Sequence, residues 1–151
     1  MKAEKDDPRS ISREQSLALA ASVPIGRVVY TDQALPAVIP MNFVLDGDEV
    51  VIHIESGSTL AAAIPNAVVA FQVDDFDSDT TTGWTVTITG QARLVDGGEE
   101  RTRLARLPLR PWVPTKNGRF IRIPARHVAG HRLGPARTDT LDEVVAQGQM
   151  P

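Results

Sequence analysis

Trp84-Thr85-Val86-Thr87-Ile88-Thr89-Gly90-Gln91-Ala92-Arg93-Leu94-Val95 is the stretch whose reading decides the fold. Trp84, Val86, Ile88, Gly90, Ala92 and Leu94 fall on one side of it, and Thr85, Thr87, Thr89, Gln91 and Arg93 on the other. Alternation with period two is the signature of a β-strand. An apolar face opposite a threonine-rich one predicts a half-buried antiparallel strand whose second face is wet or interfacial.

Short β-branched runs lie on both sides of this strand. Residues 28–30, 37–45, 50–54 and 68–73 read as strands before it, and 120–123 and 127–133 as two closing strands after it. Pro40 lacks an N–H, so its strand is expected at a sheet edge or a bulge. Asp46-Gly47-Asp48 marks a hairpin. The run 68–73 is expected to lead into an acidic loop, Asp74-Asp75-Phe76-Asp77-Ser78-Asp79.

Helices are short. Ser12 with Gln15 three residues on has capping-box spacing before a helix at 15–22. A second helix covers 60–64 and stops at Pro65. A third follows the cap-like Asp96-Gly97-Gly98-Glu99, carries Leu104 and Leu107, and breaks at Pro108 and Pro111 around Trp112. Six or seven strands with two or three short helices predict a mainly β, α+β domain, a small barrel or wrapped sheet. A doubly wound α/β fold needs longer helices between its strands. The expected organisation is a flexible lead-in at 1–9, one domain at 10–134 and a weakly structured tail at 135–151.

Composition narrows the function. The chain has 151 residues, 42% hydrophobic and 23% charged, which suits one ordinary globular domain. A net charge of −3 gives no overall positive field for nucleic acid or anionic lipid. The absence of cysteine excludes disulfides, thiolate metal sites and cysteine nucleophiles. The first residues, Met1-Lys2-Ala3-Glu4-Lys5-Asp6-Asp7, lack the apolar run of a signal peptide, and no stretch reaches membrane-spanning length. A soluble cytoplasmic protein without nucleic-acid or membrane partners is expected.

Three segments can carry chemistry. In His53-Ile54-Glu55-Ser56-Gly57-Ser58-Thr59-Leu60 a strand ends, a glycine turns the chain and hydroxyls meet a helix start; anion binding and ordinary helix capping both fit. In Pro40-Met41-Asn42-Phe43 the Asn42 amide can bond the edge of a planar heterocycle or simply face water. Trp84 and Trp112 can stack on an aromatic ligand, fill a dimer seam or pack in the core. His53, His127 and His131 lack zinc spacing, and the acidic run 74–79 lacks the glycine and glutamate of a calcium loop, so no metal is expected. Arg101, Arg103 and Arg106 read as the wet face of a helix. Neither a nucleophile elbow nor a phosphate loop with its lysine is present.

Taken in order, Gly26-Arg27-Val28-Val29-Tyr30, Leu35-Pro36-Ala37-Val38-Ile39-Pro40-Met41-Asn42-Phe43, Gly57-Ser58-Thr59-Leu60-Ala61, Val69-Ala70-Phe71-Gln72-Val73-Asp74, Gly83-Trp84-Thr85-Val86 and Arg110-Pro111-Trp112 resemble the pyridoxamine 5'-phosphate oxidase-like, FMN-binding split-barrel family, especially its small actinobacterial-type members. The resemblance covers roughly residues 15 to 133. It implies a six-stranded antiparallel split β-barrel that forms a homodimer, with two flavin sites at the seam. Pro40, Met41 and Asn42 would then border the isoalloxazine ring. His53, Glu55, Ser56, Ser58 and Thr59 would follow the ribityl chain and phosphate, and Trp84 and Trp112 would line the pocket, one or both contributed by the partner subunit.

The chain departs from that pattern at one place. Relatives commonly read Arg-Thr-x-x-Gly-Ser-Lys-Leu, with arginine and lysine gripping the phosphate, where this chain has His53 and Thr59. At about 1.5–3 kcal/mol for each charge-assisted hydrogen bond, losing two weakens FMN by roughly two to four orders of magnitude. Helix N–H groups, Ser58 and Arg122 or Arg132 are the candidates to compensate. The resemblance therefore implies an FMN-dependent oxidoreductase of unknown substrate, in which the flavin carries the chemistry and no protein base is needed. The alternatives are a non-enzymatic dimer binding flavin, deazaflavin or a haem-like ligand, and a dimer without small ligand. The acidic run 74–79 counts against deazaflavin, whose acidic tail needs a cationic groove. Classical pyridoxamine phosphate oxidation is not expected, because the chain is short for that enzyme and has no recognisable C-terminal substrate-binding motif.

Overall fold

The computed structural model describes residues 9–109 and 118–134. Its elements, in chain order, are β1 (Ser10–Ile11), α1 (Arg13–Ala21), β2 (Ile25–Asp32), β3 (Leu35–Asn42), β4 (Val44–Asp46), β5 (Glu49–Glu55), α2 (Thr59–Ala63), β6 (Val68–Asp77), β7 (Thr82–Gln91), β8 (Arg93–Leu94), α3 (Gly98–Leu104), β9 (Gly118–Pro124) and β10 (His127–Leu133). All strand pairs are antiparallel. One sheet has the order β1-β10-β7-β6-β2-β3 and the other the order β4-β5-β9-β8. The expected mainly β architecture with short helices is what the chain forms.

The chain passes between the sheets four times, once through α2 and three times at corners of one or two residues: Phe43, Ala92, and Ala125-Arg126. Such corners let strands of two sheets share one core. Gly90 shows how closely they approach, since a Cβ there would lie 1.9 Å from the Pro124 carbonyl oxygen. The corners also explain why ten strands form among the described residues where six or seven were expected. The run 37–45 divides at Phe43, the alternating stretch divides at Ala92, and β1 and β8 are two-residue pairings too short to carry a period.

The main core lies between the sheets, with Val28, Ile52, Phe71, Val86, Ile88, Ile121 and Ile123 fully buried. A second, smaller cluster of Val51, Val95, Leu104 and Phe120 packs α3 on the outer side of the four-stranded sheet. Val50, Val51 and Ile52 are therefore buried in succession, with core on both faces of β5.

Local signals held at several points. Ser12 caps α1, its Oγ accepting from the Gln15 amide at 3.1 Å, and Gly47 turns the β4–β5 hairpin at φ 66. Others did not. The acidic residues Asp74, Asp75 and Asp77 belong to β6, because pairing with β7 continues to Asp77↔Thr82. Gly97, with no side-chain cap bond, starts α3 in place of the cap expected from Asp96. Among the described residues no helix is long and apolar enough to cross a membrane. Residues 1–8 of the lead-in expected at 1–9, the segment carrying Trp112 and the tail at 135–151 lie outside the described residues.

Candidate functional site

β5 carries the candidate segment out of the core. By alternation Ile52 and Ile54 face the main core, while Val51, His53 and Glu55 face the side that holds α3. His53 sits opposite Phe120 on β9, their ring centroids 4.6 Å apart. Burial first, then the charge of Arg101, holds the His53 imidazole below its ordinary pKa. Both effects disfavour the charged form of His53.

Beyond Glu55 the chain turns through Gly57 at φ 89, where a Cβ would meet nothing within 4 Å. Ser58 is the N-cap of α2. Its Oγ accepts from the Ala61 amide at 3.1 Å and donates to the Glu55 carbonyl at 2.8 Å. Capping is thus its structural role, and Thr59 is left exposed as the first residue of the helix. Ser56 receives a hydrogen bond at its Oγ from Arg119 Nε, 3.0 Å away.

Pro40, Met41 and Asn42 end β3, an edge of the six-stranded sheet, as the proline required. Pro40 is exposed and Met41 packs at the rim of the core. Asn42 is half-buried. Its Nδ2 donates to the Pro24 carbonyl at 3.3 Å, and its Oδ1 is buried without a partner among the described residues. The amide donor expected to face a heterocycle or water is instead turned onto the protein's own backbone. β3 and β5 touch across the sheets, and α2 touches both β2 and β5, so the two segments belong to the same side of the core.

Trp84 is only 9% exposed and packs in the main core, the commonest of the three fates open to it. It lies on β7 between Asp75 and Arg132 in register, in the other sheet from the turn after β5. The structure does not bring it to that turn.

Arginine placement was the least legible feature. Arg122, 7% exposed, is held by Glu49 through Nε and by Asp46 at 2.7 Å, so it is taken by carboxylates and does not serve the turn. Arg103 also donates to Asp46, at 2.6 Å, and Arg93 to Glu100, at 2.9 Å. Together Arg103 and Arg122 lower the Asp46 pKa to about 2. Arg132 lies on β10 of the six-stranded sheet. Among the described residues, Arg119 and Arg101 are the arginines that reach the β5–β9 end: Arg119 bonds Ser56, and Arg101 Nη2 donates to the Gly118 carbonyl at 3.5 Å. Only the pairing of β5 with β9 places Arg119 beside Ser56, and no local signal announces a contact 63 residues apart.

A two-sheet antiparallel arrangement with sheet-switching corners and a hydroxyl-rich turn at the end of a central strand defines a class of small, mainly β domains. The profile of the pyridoxamine 5'-phosphate oxidase family matches residues 12–132, and the chain belongs to that family. The uncharacterized protein Rv0080 of Mycobacterium tuberculosis is 34% identical over 128 residues, covering 82% of this chain and 84% of that protein. An FAD-binding protein of Mycobacterium smegmatis superposes with a TM-score of 0.73 at 29% identity, over 83% of this chain and 99% of that one. A conserved protein of unknown function, DIP1874, from Corynebacterium diphtheriae gives a TM-score of 0.70 at 32% identity, over 84% and 98% of the two chains. The resemblance drawn from the ordered motifs is borne out.

Proposed function

We propose that this chain forms a homodimeric, six-stranded split-barrel flavoprotein that binds FMN and uses it in an oxidoreduction. The observation that carries the reading is the uncovered apolar edge strand. On β3, Leu35 is 68% exposed and Val38 60%, and Ile39 and Pro40 are also exposed. An apolar sheet edge left open is an association surface. A second copy covers it in this reading, with a flat heterocycle held between the copies beside Met41 and Asn42.

The residues present suit a flavin. Hydroxyls at Ser56 and Thr59 and a neighbouring guanidinium form a donor set for a phosphate, and the apolar end of β3 suits a ring. Bound flavin would supply hydride or electron transfer, and the protein's part is to hold and shield the ring. The FAD-binding relative from Mycobacterium smegmatis supports a flavin in general. A flavin carrier without turnover is the second reading, favoured by the lowered pKa of His53 and by the capping role of Ser58.

The test is titration of the purified chain with FMN, followed by quenching of flavin fluorescence and then by turnover with nicotinamide donors. Saturable binding in the micromolar range or tighter supports the reading. Protein that ignores micromolar FMN rejects it, and binding with no turnover selects the carrier.

A further inference from the structure

The turn Glu55-Ser56-Gly57-Ser58-Thr59 has hydroxyls but no cation of its own, and burial and Arg101 disfavour the charged form of the nearby His53. The positive charge in contact with it comes from another strand. Arg119 opposes Ile54 in register, on the face of β5 away from His53 and Glu55, and its Nε rests on Ser56 Oγ at 3.0 Å. With Nε engaged, the two terminal nitrogens have no hydrogen-bond partner among the described residues, and their planar fork suits phosphate oxygens. Arg119 is exposed, and among the described residues no carboxylate pairs with it. Arg93, Arg103 and Arg122 on the same sheet and its helix are all held by carboxylates. Glu55, the one acid in the turn, leaves β5 on the opposite face, in register with Gly118. Arg101 adds positive potential from the α3 side, as its effect on His53 shows.

We propose that Arg119 is the cation that fixes the flavin phosphate in this chain and makes the site selective for phosphorylated flavins. The inference rests on the flavin reading above. It assigns the anion grip to a strand remote in sequence from the turn, in place of Arg122 and Arg132.

The experiment compares dissociation constants for FMN, FAD and riboflavin in the full chain, in R119Q and in R126Q. Arg126 is exposed and follows β9 at its far end, so its loss removes the same charge away from the turn. Wild-type protein should bind FMN or FAD at least about tenfold more tightly than riboflavin, with the margin shrinking as salt rises. R119Q should lose that margin while riboflavin binding stays within about twofold; R126Q should keep it. Equal weakening of all three flavins by R119Q, or the same loss in R126Q, overturns the assignment and leaves flavin binding intact. Equal wild-type affinities for FMN and riboflavin overturn it even if R119Q fails to fold. A wild-type chain that binds no flavin overturns this inference and the flavin reading together.

Discussion

Asp46 is the hinge of the ion network that ties α3 to the four-stranded sheet, and replacing it with asparagine is a sharp test of that network. Its carboxylate accepts from Arg103 at 2.6 Å and from Arg122 at 2.7 Å. The two arginines lower its pKa from 3.8 to about 2. At about 1.36 kcal/mol per pKa unit, that corresponds to at most ~2.5 kcal/mol. The side chain is 21% exposed and Arg103 more than half so, and water screens that half of the pair. The expected loss of stability in D46N is therefore about 1–2 kcal/mol at neutral pH, most of it from the nearly buried Arg122.

The pH dependence carries the sign. A carboxylate whose folded pKa is depressed stabilises fully above its unfolded pKa, near 3.8, and that contribution is lost as pH falls through about 2. Urea unfolding of wild type and D46N at fixed protein concentration, from neutral pH to the acid limit of folding, measures it. The gap should be constant down to about pH 4–5 and narrow below that. A gap under ~0.5 kcal/mol at neutral pH, the usual range for surface changes, would refute the argument. So would a gap that does not change with pH in the acid range.

Other outcomes follow from the same structure. Val38→Asp, at a position 60% exposed on the edge strand, should turn a dimer into a folded monomer, read by sedimentation and circular dichroism; a dimer that persists would place the interface elsewhere. Gly90→Ala should destabilise by about 1–3 kcal/mol in denaturant, because its methyl meets the Pro124 carbonyl at the corner between sheets. A neutral effect there would mean that the sheets separate easily at that corner.

What was legible in the sequence was what periodicity and local hydrogen bonds control. The alternation of Trp84 to Gly90 gave the central strand, Ser12 the start of α1, and Asp46-Gly47 a hairpin. What was hidden depends on tertiary context. The β2–β3 turn uses Gln33 and Ala34, both at positive φ, where Asn or Gly is the usual signal, so β3 was placed two residues late. The exchange of sheets at Ala92 leaves no mark in the period, because the residue stays buried on either side of the corner. In the site, the hydroxyls of the turn were readable, but their use was not: Ser58 caps, and Ser56 holds Arg119. Arg122 looked available because its carboxylate partners Asp46 and Glu49 lie more than seventy residues away in sequence.

The central claim is that two copies of this domain hold a flavin where they meet. Sedimentation velocity of the full chain with FMN, followed at the visible flavin absorbance, tests it in one measurement. Flavin colour travelling at the mass of two chains, with one flavin per chain, is the predicted result. Colour left unsedimented while the protein runs as a single chain would contradict it.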